Sequence, residues 1–376
     1  MKKRSFLKSL LVDLLCAGLA LTIFALFHHV LPRQRQSLGI VIPNPYRTED
    51  ADAPDSQDAE LPPAASIGSE SLTASAGMSD LSLSAKGSRN GRGGSGSRGG
   101  GSSKGGSALE DGDETEQNED ATPIAEKFAD MYTEETVVTP GSYTSPNVSV
   151  TVTEETLDNG RITYYLADIY LRDVTAFQTA LARNTYGSGY RDGISDMAAL
   201  ANALVAVNGD YYGNTNEGVV IRNGVIYRAN PTDCDVCVLY YDGSMRVMSG
   251  SSFSVEDAIA DGAWQAWTFG PALLDGGGNA IDSFSSTGRI ISANPRTAIG
   301  YYEPGHYCLV VVDGRGDSAG ITLPRLSELF EDLGCAAAYN LDGGNSSVMV
   351  WQGDVINDPS GGGRESSDAV LIAEVN

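Results

Sequence analysis

The sequence predicts an α+β fold: a single mixed β-sheet domain with flanking helices, behind an N-terminal membrane anchor and a disordered stalk. Hairpin-like runs of β period recur from Ser149 to Asn376, and shorter stretches of helical spacing interrupt them. One strand, helix, strand unit within about 35 residues implies a parallel crossover, which makes the expected sheet mixed.

The first element is the anchor, residues 1–36. Lys2, Lys3, Arg4 and Lys8 precede an apolar run of roughly 23 residues, about the length of a bilayer-spanning helix. The run ends in Phe27-His28-His29-Val30-Leu31-Pro32-Arg33 with no small-residue cleavage site, so an uncleaved signal anchor is expected rather than a secretory signal peptide. The basic residues ahead of the span favour a cytoplasmic N-terminus and an extracytoplasmic C-terminal domain. Residues 37–125 are poor in aromatics and rich in Ser, Gly and acid, and "KGSRNGRGGSGSRGGGSSKGGS" is low complexity. Such composition cannot offset chain entropy, so this stretch reads as a disordered tether with an r.m.s. span on the order of 50 Å.

Residues 126–376 form the folded domain. "VSVTVTEETLDNGRITYYLADIYL" is a hairpin turning at Asp158-Asn159-Gly160. "VTAFQTALAR" and "SDMAALANAL" have helical spacing, the second with Ser195 as N-cap. "VAVNG" is a buried strand, "VCVLYYDGSMRVM" a hairpin, and "SVEDAIADG" a capped helix stopping at Gly262. The apolar strand "HYCLVVVDGR" leads to the helix "TLPRLSELFEDLG", with Pro324 in its first turn and Gly334 after its last, and the strand "AAAYNL" comes directly after.

Composition excludes several chemistries. From Glu126 onward there are 13 basic and 33 acidic residues, a net of −20, so nucleic acid is not a partner. Only three histidines exist, two of them at the span, so a triad would rest on His306 and a His-rich zinc site cannot be built. No G-x-x-x-x-G-K-[ST] loop is present. Cys234 and Cys237 form a C-x-x-C that is either a local disulfide or two ordinary thiols, and Cys308 and Cys335 read as core residues.

Four stretches place polar groups where a buried strand ends: "VNGDYYG", "NPRTAIGY", "VVDGRGDSAG" and "YNLDGGNSS". Asp-Gly alone signals a hairpin, and the chain also has it at Asp192, Asp242, Asp261 and Asp275. Asp342 differs, because Gly343, Gly344, Asn345, Ser346 and Ser347 come after it with more small donors than a two-residue turn needs.

At these stretches the sequence resembles the phosphodiester glycosidase family. The matching pieces, in order, are Asn208-Gly209-Asp210-Tyr211, Gly270-Pro271-Ala272-Leu273, Arg296-Thr297-Ala298-Ile299-Gly300, Asp313-Gly314-Arg315, Gly320-Ile321-Thr322-Leu323, Asn340-Leu341-Asp342-Gly343-Gly344-Asn345-Ser346-Ser347 and a late Arg364, over roughly residues 165 to 372. One piece departs from the family pattern: after the late arginine this chain has "ESSDAVLI" where the family often has Pro-Val.

The resemblance implies hydrolysis of the glycosidic bond of a sugar 1-phosphodiester, with a phosphorylated glycan as partner. On that reading Asp342 and Asp210 are the expected catalytic carboxylates, stabilising C1 or activating water. Arg296 with Arg315 or Arg364 is expected to grip the phosphate, unless Arg296 and Arg315 are salt-bridged to Asp313 or another acid. Asn208, Asn340, Ser346 and Ser347 would position sugar and phosphate oxygens, with Asp313, Gly343 and Gly344 completing the substrate-binding set. Oxygen ligands also suit Ca²⁺, so a bound calcium ion is left open. A non-catalytic glycan-binding or assembly factor is the rival reading.

Overall fold

The computed structural model describes residues 14–22, 31–46, 124–286 and 288–375. Residues 14–22, within the expected anchor, are helical. Most of the remaining anchor lies outside the described residues, and among those described no helix is long and apolar enough to cross a membrane.

The expected linker differs at its start. Ile40–Val41 pairs antiparallel with Val225–Ala229, Ile42 is buried, and Arg33–Gln34 pairs with Gly187–Ser188. The β-branched run Ile40-Val41-Ile42 is short, and its apolar character is lost in the average over a polar stretch. Residues 47–123 lie outside the described residues.

The single mixed sheet is not what forms. Three larger sheets share the core, and every registered strand pair described is antiparallel. The seven-stranded sheet runs Ala337–Asn340, Arg296–Glu303, His306–Val312, Ile162–Leu171, Val148–Leu157, Ser142–Thr144, Val137–Val138. The strand, helix, strand unit is present, with Leu323–Asp332 as its helix, capped by Thr322 and carrying Pro at its start. Arg296–Glu303 lies between its two strands and opposes both, so the crossover skips a strand and leaves no parallel pair.

His306–Val312 is apolar throughout because both its faces are covered. Leu309 and Val311 face the main core with Val148, Val150, Val205, Val207, Trp267 and Val370, whereas Cys308, Val310 and Val312 pack with Leu326, Leu329 and Phe330 of the helix. The five-stranded sheet runs Asp354–Val355, Met349–Trp351, Val205–Asn208, Asp368–Ile372, Phe177–Leu181, and the six-stranded sheet carries Val219–Arg222 and Ala263–Thr268.

"VTAFQTALAR" is not a helix. Val174–Ala176 makes one 3-10 turn, and Phe177–Leu181 is a strand paired with Asp368–Ile372. Phe177 and Thr179 are buried in alternation, so partner pairing overrides the helical spacing. The next helix, Ile194–Leu200, starts after Gly193, which places Ser195 inside its first turn rather than at its cap.

Cys234 and Cys237 form no disulfide. Cys234 is exposed, whereas Cys237 points into the core from Asp235–Tyr240; residues three apart along an extended chain face opposite ways. Cys308 and Cys335 are core thiols with their Sγ atoms 3.9 Å apart.

Candidate active site

The seam between the five- and seven-stranded sheets is made by strand ends. Asn208 closes Val205–Asn208; its Nδ2 donates to the Asp342 carbonyl at 2.7 Å, and its Oδ1 accepts from Thr297 Oγ1 at 2.7 Å. Asn340 donates to the Gly270 carbonyl at 2.8 Å. Both amides are fully buried and tie neighbouring strand ends together, and Asn340 Oδ1 has no hydrogen-bond partner among the described residues.

Their effect is to present Asp342 at the seam. Its Oδ1 accepts from the Gly343 N–H at 2.9 Å, and its Oδ2 from Ser346 Oγ and Arg364 Nη2, both at 2.7 Å. Arg364 is half-exposed and sits over the Tyr211 ring at 5.5 Å. Burial pushes the Asp342 pKa up, against the pull of Ser346, Arg364 and the Gly343 N–H, and the net shift is upward.

Arg296 and Arg315 have no acid partner among the described residues, which corrects the salt bridge to Asp313. Arg296 donates to the carbonyls of Ile290, Ser292 and Ile321, filling a buried position. Desolvation, then the nearby Arg315 charge, lowers its pKa to about 10. Arg315 is exposed and held by neutral acceptors, Asn345 Oδ1 at 2.8 Å and Asn294 Oδ1 at 2.7 Å. Gly344 lies against it at φ 69°, which favours glycine, and a Cβ there would be 3.2 Å from Arg315 Nη2 and press on the guanidinium.

Asp313 does not reach this seam as a ligand-facing group. It accepts from Asn357 Nδ2 at 2.8 Å and the Asp358 N–H at 3.0 Å, and Asn357 in turn donates to the Ser347 carbonyl. It therefore braces the segment carrying Ser346 and Ser347; Ser347 Oγ is buried with no hydrogen-bond partner among the described residues. Gly343 passes close to Pro295, where a Cβ would meet the carbonyl oxygen at 2.8 Å.

Asp210 is not placed for catalysis. It is 1% exposed, and its oxygens accept from the Tyr212 N–H at 3.1 Å, the Thr268 N–H at 2.8 Å and Arg222 Nη2 at 2.8 Å. Arg222 also donates from Nε and Nη2 to Asp368 Oδ2, at 3.1 and 2.8 Å, and from Nη1 to the Ile221 and Ala266 carbonyls.

Sequence reasoning missed Arg222 and Asp368. Arg222 ends "VVIR" and Asp368 opens "DAVLI", so the criterion of charge at the end of an apolar strand would have found both. His306 stays outside the site, bonded to Asp168 at 2.8 Å and stacked between Tyr170 and Tyr302. Among the described residues no cluster of three or more His, Cys, Asp or Glu could hold a metal ion.

Asp368 Oδ1 has no hydrogen-bond partner among the described residues, and a Cβ on Gly209 would fall 2.2 Å from it. Burial, partly countered by Arg222 and reinforced by Asp210 and Asp342, pushes the Asp368 pKa up to about 7. Between the ordinary carboxylate range and about 7, the folded state therefore holds a proton that the unfolded chain has lost, and this group's contribution to stability falls as pH rises. We expect Asp368→Asn to flatten that slope, read as Tm against pH from about 4 to 8 beside wild type; equal slopes would assign the proton elsewhere.

Residues 201–373 match the family model described as phosphodiester glycosidase. This stretch is similar to phosphodiester glycosidase domains. The matched stretch contains Asp342, Arg296, Arg315, Arg364, Arg222 and Asp368. Over 184 residues the chain is 31% identical to the SPbeta prophage-derived protein YomE of Bacillus subtilis, covering 47% of this chain and 29% of that one. Over 78 residues it is 38% identical to human N-acetylglucosamine-1-phosphodiester alpha-N-acetylglucosaminidase, covering 21% and 15%. The chain spans less than a third of the length of these relatives. The fold is similar to the zebrafish N-acetylglucosamine-1-phosphodiester alpha-N-acetylglucosaminidase catalytic domain auto-inhibited by its pro-peptide, with a TM-score of 0.50 at 22% identity, covering 64% of this chain and 88% of that one.

Proposed function

We propose that this domain hydrolyses the bond between the anomeric carbon and the phosphate of a sugar 1-phosphodiester. The observation that carries this reading is the meeting of Asp342, with its raised pKa and its bond to Arg364, with Arg296 and Arg315, which lack any acid partner among the described residues. Arg315 and Arg364 hold the phosphate oxygens, and Arg296 adds positive charge from behind. The departing phosphate monoester is a stable anion that needs no proton, so one carboxylate acting at C1 or on water suffices. The withdrawal of Asp210 into its bonds with Arg222 and backbone is compatible with that economy, and the two-carboxylate distance criterion then has no second acid to use.

N-acetylglucosamine is the first sugar to test, given what the mammalian relatives' names state. We place the substrate among envelope or exopolysaccharide glycans and the chain at the membrane through its N-terminal helix. The test is release of N-acetylglucosamine from an alkyl phosphodiester of its 1-phosphate. Tight glycan binding with no release under any ionic condition would replace hydrolysis with a binding or assembly role.

Arg315→Ala is expected to raise KM about 10- to 100-fold, as loss of a charge-assisted hydrogen bond does, with a smaller effect on kcat. Unchanged KM would remove Arg315 from phosphate recognition.

A further inference from the structure

The geometry points to a second binding site, for an anionic sugar residue, in a cavity that shares none of the side chains of the candidate active site. This cavity, of about 290 Å³, is lined by Arg35, Arg228, Tyr186, Tyr227, Asn216 and Asn230 among others, and no acidic residue lines it among the described residues. In a domain with a net charge of −20, a cavity with two arginines and no carboxylate is a local inversion of the overall field.

The two guanidiniums converge on the same backbone. Arg35 Nη1 donates to the Tyr212 and Thr215 carbonyls at 3.2 and 2.5 Å, and Arg228 Nη1 donates to the same two at 3.2 and 2.7 Å. Arg228 is 6% exposed, and its Nη2 has no hydrogen-bond partner among the described residues. Carbonyl dipoles orient these charges without neutralising them, so a bound anion would settle both like charges at once. Burial lowers the Arg228 pKa; Tyr186 and Asp210 pull it back up, Arg35 and Arg222 lower it again, and the net shift is downward.

The rest of the lining suits a pyranose. Tyr227 is partly exposed and is backed by the buried Tyr186, with ring centroids 5.0 Å apart, so its ring can meet sugar C–H groups, and the Asn216 and Asn230 amides can meet hydroxyls. The occupant is therefore a sugar bearing phosphate or carboxylate.

This inference rests on the glycosidase reading in that the second site would hold another residue of the same charged glycan. One loop links the two places: Tyr211 lies under Arg364, and the carbonyl of its neighbour Tyr212 receives both cavity arginines.

The experiment uses the full chain carrying Arg315→Ala, which weakens the phosphate grip at Asp342. It is titrated calorimetrically with glucose 6-phosphate in one arm and digalacturonate in the other. One binding event is expected in at least one arm, weakened tenfold or more by adding Tyr227→Ala, and separately by Arg35→Gln. No binding in either arm, or binding unmoved by both substitutions in variants with wild-type Tm, overturns the site. Tyr227→Ala alone should leave release of sugar from the small alkyl phosphodiester within twofold of wild type. Loss of that release would place the cavity within the catalytic site and overturn its independence, whereas inactivity of the wild-type chain would count against the glycosidase reading alone.

Discussion

Asp342→Asn lowers kcat for sugar release from a sugar 1-phosphodiester by about 10²- to 10⁴-fold, the range associated with a positioned acid–base group. The substitution keeps the side chain's shape and an oxygen for the Gly343 N–H, so the fold survives, with Tm within a few degrees of wild type. What it removes is the charge next to Arg364 and Ser346, and with it the group proposed to act at C1 or on water. KM should change less than kcat, because phosphate recognition is assigned to the arginines. The acidic limb of kcat should also lie above the ordinary carboxylate range, since the Asp342 pKa is shifted upward. Wild-type turnover in the variant, measured by sugar release, would end the catalytic assignment.

Arg222→Met costs about 3–5 kcal/mol of stability, the penalty for leaving buried carboxylates without their cation. All five N–H donors of Arg222 are engaged, by Asp368, Asp210 and the Ile221 and Ala266 carbonyls. Methionine fills much of the volume but leaves Asp210 and Asp368 facing one another. For a domain of this size, the Tm falls by roughly 10 °C. Adding Asp368→Asn should recover part of the loss by removing one of the stranded charges, a coupling that a double-mutant cycle reads directly. Additive losses would show that Arg222 acts through packing against Tyr212 and Trp267 instead.

The strands that carry the site were legible in the sequence because their signals are local. Apolar runs ending in Asn208, Asp313 and Asn340 form as expected, as do the Asp158-Asn159-Gly160 hairpin and the helix at Pro324. What failed depends on partners distant in the chain. Phe177–Leu181 is a strand because Asp368–Ile372 lies beside it, and the expected parallel pair is missing because Arg296–Glu303 inserts between the crossover strands. The same limit governs the site. Asp342 could be singled out by its surplus of small neighbours, whereas only the arrival of Arg222 from another sheet shows that Asp210 is already occupied.

The docking of Arg33–Gln34 and Ile40–Val41 changes what the low-complexity stretch can do for the molecule. The chain reaches the domain before that stretch begins and belongs to it again from Ile124. The stretch is thus an excursion with both ends fastened to one body, and its length sets no stand-off height. Should the expected apolar run span a bilayer, it ends only a few residues before Arg33, the first docked residue. The candidate site would then stay tethered close to that span, whatever the length of the Gly/Ser stretch.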